Sequence, residues 1–159
     1  MSEIPVKRDL SIIIVCYKGL KRISRCLEEL GRFGESRFSF EVIIVDNDPD
    51  YEVTEKFRPL YPDFRFIQNK INGGFGNGCN LGSMEASGDF FLFLNPDTVP
   101  VQSEIEKLFT AAQASSGYTI FSCRQIRENG NESKAYGAFP GMFNLTGLLR
   151  AVFRKRSGG

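Results

Sequence analysis

A chain of 159 residues with 42% hydrophobic residues, including 15 Phe, fits one domain with a real core and reads as globular, not disordered. A net charge of +1 gives no general electrostatic case for nucleic acid as a partner. The chain has no His, so acid–base work and metal binding must rest on carboxylates, amides and water.

The first ten residues carry no apolar signal region, and no run approaches 18 apolar residues, so a cytoplasmic protein is expected. Leu10–Cys16 is a continuous apolar run rich in β-branched residues, which predicts a strand buried on both faces. Leu20, Ile23, Leu27 and Leu30 recur at helical spacing, and Gly31 and Gly34 end that helix. Phe40–Val45 is a second strand that closes a βαβ unit, and Val53, Phe57 and Leu60 predict a short helix. Phe64–Ile67 is the third strand. A glycine-rich loop over Asn72–Gly78 then leads into a helix of small residues ending near Ala86. Phe90–Leu94 is the most apolar strand. Ile105, Leu108, Phe109 and Ala112 mark another amphipathic helix, and Tyr118–Ser122 a further strand. Asn129–Gly130 signals a tight turn between Arg124–Arg127 and Lys134–Tyr136.

This alternation predicts an α/β fold, an open and mostly parallel sheet with helices on both faces. Ligands in such sheets sit beyond the carboxyl ends of the strands. Three polar or turn-forming segments fall there: Cys16–Gly19, Asp46–Asp50 and Asn95–Thr98. Asp46 could accept a hydrogen bond from an imide N–H such as that of uracil or thymine, or serve as a loop or helix cap. The glycine-rich loop could bring backbone N–H groups to a phosphate, or simply make a tight connection. It lacks the Lys-Ser/Thr pair of a P-loop and the spacing of a dinucleotide fingerprint. Asp97, leaving an apolar strand beside Pro96, could hold Mg²⁺ or Mn²⁺, or belong to a turn before a helix. Cys16, Cys26, Cys79 and Cys123 form no CxxC pair, so a zinc site is disfavoured, and for the three that lie inside apolar or glycine-rich stretches buried thiols are expected. The sequon at Asn144–Thr146 is read as chance.

Taken in order, Ser11–Gly19, Glu41–Asp50, Asn72–Gly82 and Gly88–Thr98 resemble the family 2 glycosyltransferases of the GT-A fold, in particular a rhamnosyltransferase-like branch. The resemblance spans residues 9 to 125 and divides the chain into a nucleotide-sugar-binding core, residues 1–125, and the start of an acceptor-side region, residues 126–159. It implies that Tyr17 and the Cys16 backbone line a base pocket, that Asp46 takes the base N3–H, and that Asn72, Gly74 and Asn80 border the ribose and diphosphate. Asn95 and Asp97 occupy the two ends of the family's DxD element, with Asp97 as ligand of Mg²⁺ or Mn²⁺. Asn95 stands where the usual first Asp would be, and Lys18 adds a phosphate-seeking charge.

The implied reaction is inverting transfer of a hexose or deoxyhexose from a UDP- or dTDP-sugar to a cell-surface glycan or lipid-linked acceptor. The resemblance also implies an acidic base motif well downstream of Asp97. None is found before Gly159, so the chain is expected to be truncated and to lack the base. Glu104, Glu106, Glu128 and Glu132 read as helix-start or turn residues. That absence favours one rival, a non-catalytic nucleotide-sugar-binding module. A nucleotidyltransferase is disfavoured by the single Gly after the first strand. The basic cluster Arg150, Arg154, Lys155 and Arg156 reads either as a solvated helix end or as peripheral contact with anionic lipid at the inner face of the membrane. The sequence does not fix the oligomeric state.

Overall fold

The computed structural model describes residues 7–50, 52–116, 120–121, 123, 125–127 and 129–133. The chain divides into two compact units, residues 1–119 and 120–159. In the first unit, strands β1 (Arg8–Cys16), β2 (Phe40–Asp46), β3 (Arg65–Gln68) and β4 (Gly88–Leu94) form one sheet in the order β3-β2-β1-β4. Every pairing is parallel, with Cys16 beside Asp46, Asp46 beside Gln68, and Ile14 beside Leu94. Helices α1 (Leu20–Gly31), α2 (Glu52–Phe57) and α3 (Gly74–Met84) make the crossovers, and α4 (Gln102–Ala114) follows β4.

The period of two in β1 explains the layering. Leu10, Ile12, Ile14 and Cys16 face one side, where they pack with Ile23, Cys26, Leu27 and Leu30 of α1, Val53 and Phe57 of α2, and Ile105 and Phe109 of α4. Ile13 and Val15 face the other side with Ile43 and Val45, under Cys79 and Leu81 of α3. The continuous apolar run of β1 is therefore a strand covered on both faces, as its sequence predicts. The equally apolar β4 is not. Phe90, Leu92 and Leu94 pack inward, whereas Phe91 and Phe93 remain 46% and 47% exposed, because α3 lies over β1 and β2.

The glycine-rich stretch is mostly helix, where the sequence predicted a loop as far as Gly78. Gly78 and Gly82 make a flat patch on the helix face toward the sheet. A Cβ on Gly82 would lie 2.5 Å from Ile13 Cγ2, and one on Gly78 would lie 2.5 Å from Val15 Cγ1. Contact this close sets the depth at which α3 rests on the sheet.

The amino edge of the sheet is closed by side chains. Glu41 Oε1 accepts hydrogen bonds from Ser11 Oγ (2.6 Å), the Ser87 amide (2.6 Å) and Ser87 Oγ (2.8 Å). Burial pushes the Glu41 carboxyl up, but the donated hydrogen bonds outweigh it and hold the group below the usual carboxylate range.

In the second unit, β5 (Gln125–Ile126) and β6 (Glu132–Ser133) form an antiparallel hairpin, with Gly130 at φ +79°. The turn lies where the sequence placed it. The second strand begins earlier than predicted, and Lys134–Tyr136 falls outside the described residues, as do Tyr118, Thr119, Ser122, the sequon and the basic cluster. Ile120 and Phe121 are described and lie in no strand. No helix among the described residues is long and apolar enough to cross a membrane.

Substituting Gly82→Ala is expected to lower stability by about 1–3 kcal/mol, because the new methyl must displace Ile13 or lift α3. Urea unfolding measures this, and an unchanged midpoint would contradict the packing described.

Candidate functional site

In the order β3-β2-β1-β4 the chain direction switches beside β1, since β2 and β3 extend to one side of it and β4 lies on the other. The crevice at such a switch point, beyond the carboxyl ends of the strands, is where α/β sheets take ligands. Here it is flanked by residues 17–19 after β1 and residues 95–98 after β4, with the Asp46–Asp50 loop and the start of α3 alongside.

At the end of β1, Cys16 is buried and its Sγ lies 3.5 Å from Val45 O and 3.9 Å from Asp46 Oδ1. Burial pushes this thiol far above its ordinary range, and the charges of Asp46 and Asp48 push it further, so it is no nucleophile at neutral pH. Tyr17 is 49% exposed. Lys18 adopts φ 44°, a left-handed conformation unusual for a residue with a side chain, and this turns the chain sharply into α1. Its ammonium sits 5.7 Å over the Tyr17 ring and 4.0 Å from Asp50.

The loop after β2 is unusually enclosed for an acidic segment, with Asp46, Asn47 and Asp48 all buried. Asp46 is fully buried, and both of its oxygens are in use. Oδ1 accepts from the Asp48 amide and Oδ2 from the Thr54 amide, each at 3.0 Å. Thr54 is the third residue of α2, so Asp46 caps that helix across the loop. Asp48 Oδ2, Thr54 Oγ1 and Gln68 Oε1 are buried without a hydrogen-bond partner.

Amides tie the remaining strand ends together. Gln68 Nε2 donates to Asp48 O (2.7 Å) and Asp46 O (3.1 Å). Asn69 Nδ2 donates to Asn47 Oδ1 (3.0 Å) and Asn77 Oδ1 (3.1 Å), and Asn47 Nδ2 donates to Gly74 O (3.1 Å). Asn72 Oδ1 accepts the Gly74 amide at 3.0 Å, and Gly74 takes φ +81°, which favours glycine. Asn47, Gln68, Asn69 and Asn77 had no site role in the sequence reading. Their signal was there, in the density of Asn and Gln at the ends of β2 and β3.

Asn95 and Asp97 are exposed in the turn after β4, which is closed by the Thr98 amide on Asn95 O at 3.1 Å. Burial raises the Cys26 thiol of α1 to about 12, and the charge of Asp97 adds to that. Asp46 and this turn share the carboxyl edge, separated by the width of β1, or about 10 Å at ordinary strand spacing. Cys16, Tyr17, Asp46, Asn72 and Gly74 are likewise brought to this edge. Asn80 is not, because two residues of helix turn it about 200° from Gly78 and leave it exposed on the outer face of α3.

Among the described residues no three His, Cys, Asp or Glu side chains are grouped to cage a metal. A hard cation that keeps water and substrate phosphate ligands needs only one or two carboxylates, and the exposed Asp97 beside Asn95 fits that limited donor set. The acidic residues of α4 are committed elsewhere. Glu104 pairs with Lys107 at 2.7 Å, and Glu106 accepts from Ser36 and Gln102.

The sequence profile of Glycosyl transferase family 2 matches residues 11–156. An uncharacterized glycosyltransferase of Haemophilus influenzae is 28% identical over 123 residues, covering 75% of this chain and 41% of the relative. The dolichyl-phosphate beta-glucosyltransferase of Saccharomyces cerevisiae is 29% identical over 112 residues, covering 64% of this chain and 34% of that protein. The crystal structure of S. aureus TarS 1-349 in complex with UDP-GlcNAc superposes with a TM-score of 0.52 at 28% identity, covering 65% of this chain and 30% of that one. The chain thus spans less than half the length of each of these relatives.

Replacing Asp46 with Ala would strand two buried amides, at an expected cost of roughly 2–4 kcal/mol and with faster hydrogen exchange in α2. Urea unfolding with exchange measurements checks this. Unchanged stability would show that the carboxylate does not hold the loop.

Proposed function

This chain belongs to glycosyl transferase family 2, and from that premise we propose that it is the donor-binding half of a nucleotide-sugar glycosyltransferase. The observation that carries the reading is the shared carboxyl edge. An exposed aromatic, an amide-braced glycine helix and an exposed carboxylate all meet there at a topological switch point.

The base of a UDP- or dTDP-sugar stacks on Tyr17, against the wall formed by residues 46–50. Asp46 braces that wall from inside. An imide N–H is the donor its oxygens would accept, and reaching them requires the enclosed loop to part. Asn72 and Gly74 border the ribose and diphosphate. Asp97, with Asn95 beside it, holds Mg²⁺ or Mn²⁺, which when bound offsets negative charge on the departing diphosphate. Lys18 brings a positive charge to the same edge, with its ammonium over the Tyr17 ring.

Transfer is proposed to be inverting, with a hexose or deoxyhexose passing to a glycan or lipid-linked acceptor in the manner of the rhamnosyltransferase-like branch, on the cytoplasmic side of a membrane. UDP-GlcNAc bound to TarS, at 28% identity, supports a uridine nucleotide as the first ligand to try. No described carboxylate is assigned as the base.

Calorimetry with UDP, dTDP, GDP and CDP, each with and without Mn²⁺, tests the reading. UDP or dTDP should bind in a Mn²⁺-dependent way, and Asp97→Ala should weaken binding about tenfold or more, the scale of a lost charged contact. Binding indifferent both to Mn²⁺ and to Asp97→Ala would remove Asp97 from the site, and equal binding of CDP would remove imide reading.

A further inference from the structure

The geometry points to Asn69 as a positioning residue that fixes which way the amide of Asn77 faces, so that Asn77 presents its N–H₂ group to the oxygens of a nucleoside diphosphate. This rests on the donor-site reading above and deepens it, since Asn69 lies outside the segments first assigned to the ligand and the side chain of Asn77 was given no role within its own.

Hydrogen-bond polarity sets the orientation of each amide in turn. Gly74 O can only accept, so the Asn47 side chain must turn its Nδ2 to it at 3.1 Å and its Oδ1 away. Asn47 Oδ1 can in turn only accept, so Asn69 must present Nδ2, at 3.0 Å. The same Nδ2 reaches Asn77 Oδ1 at 3.1 Å. The orientation of three amides therefore follows from one backbone carbonyl, and the chain of donors ends on Asn77 with its oxygen held and its nitrogen directed away from Asn69. Asn47 is buried and cannot turn over without leaving Gly74 O unmatched, whereas Asn77 is exposed.

A second observation fixes the position of this side chain as well as its polarity. Asn77 folds back over Gly73 so closely that a Cβ there would lie 2.5 Å from Asn77 Oδ1 and 2.6 Å from its Cγ. Gly73 is thus a cradle for the Asn77 amide, and its lack of a side chain has a reason beyond turn geometry. The outward amide lies in the first turn of α3, beside Asn72 and Gly74, at the sheet edge where the diphosphate is placed.

Asn77→Asp is the direct test. The aspartate keeps one oxygen for the Asn69 amide but replaces the outward N–H₂ with a second oxygen, which repels phosphate. UDP affinity, measured by calorimetry with Mn²⁺, is expected to fall about tenfold or more while the thermal midpoint stays put, because the side chain is exposed. Gly73→Ala should reproduce the loss by displacing Asn77. Asn69→Asp, which opposes oxygen to oxygen, should weaken both binding and stability. A purely structural role for the amides predicts the opposite pattern, with UDP affinity unchanged in Asn77→Asp, and that result overturns the inference while leaving the donor site standing. If the unaltered chain binds none of UDP, dTDP, GDP or CDP, the donor reading itself fails and this inference falls with it.

Discussion

The depth at which α3 rests on the sheet is the constraint from which the rest of the site follows. Gly78 and Gly82 let its backbone settle against Val15 and Ile13, and no larger residue fits there without moving the core. With α3 seated, its first turn comes within reach of Asn69 and Asn47, and the polar ends of β2 and β3 become one hydrogen-bonded wall. The site is therefore a consequence of packing on the opposite side of the same helix. Glycine serves two purposes here, close approach at Gly78 and Gly82 within the helix and a cradle at Gly73 just before it.

The two edges of the sheet are finished differently. At the amino edge, Glu41, Ser11 and Ser87 satisfy one another, and the carboxylate is held ionised by the hydrogen bonds it accepts. At the carboxyl edge, Asp46 is consumed as an internal cap, but Asp48, Thr54 and Gln68 each keep a buried oxygen unmatched, and Tyr17, Asn95 and Asp97 stay open to solvent. Unmet hydrogen-bonding capacity in the core is uncommon and costly. Among the described residues it gathers around α2 and the carboxyl ends of β2 and β3, beside the edge proposed to take the nucleotide.

Much of this was legible in the sequence. The both-face burial of β1, the face of α1 set by Ile23, Leu27 and Leu30, and the placing of three polar segments at strand ends all follow from periodicity and the geometry of parallel sheets. What escaped was whatever depended on a partner distant in the chain. Asp46 looks the same in sequence whether it faces a ligand or caps α2, since the choice depends on where the Thr54 amide falls. Asn80 sits inside a glycine-rich motif but is turned outward by helical phase, because α3 begins at Gly74, ahead of the loop end that the sequence suggests. The half-exposed Phe91 and Phe93 could not be foreseen from an unbroken apolar run, because the lateral reach of α3 is a tertiary fact.

The central claim is that the carboxyl edge of the sheet, and not its amino edge, receives the nucleotide. Titrating the ¹⁵N-labelled chain with UDP and Mg²⁺ while following backbone amides by NMR tests it most directly. The account predicts perturbation at Tyr17–Gly19, Asp46–Asp50, Asn69–Asn77 and Asn95–Thr98, with Ser11, Ser39, Glu41 and Ser87 unmoved. Shifts gathered at the amino edge, or spread evenly over both, would contradict it.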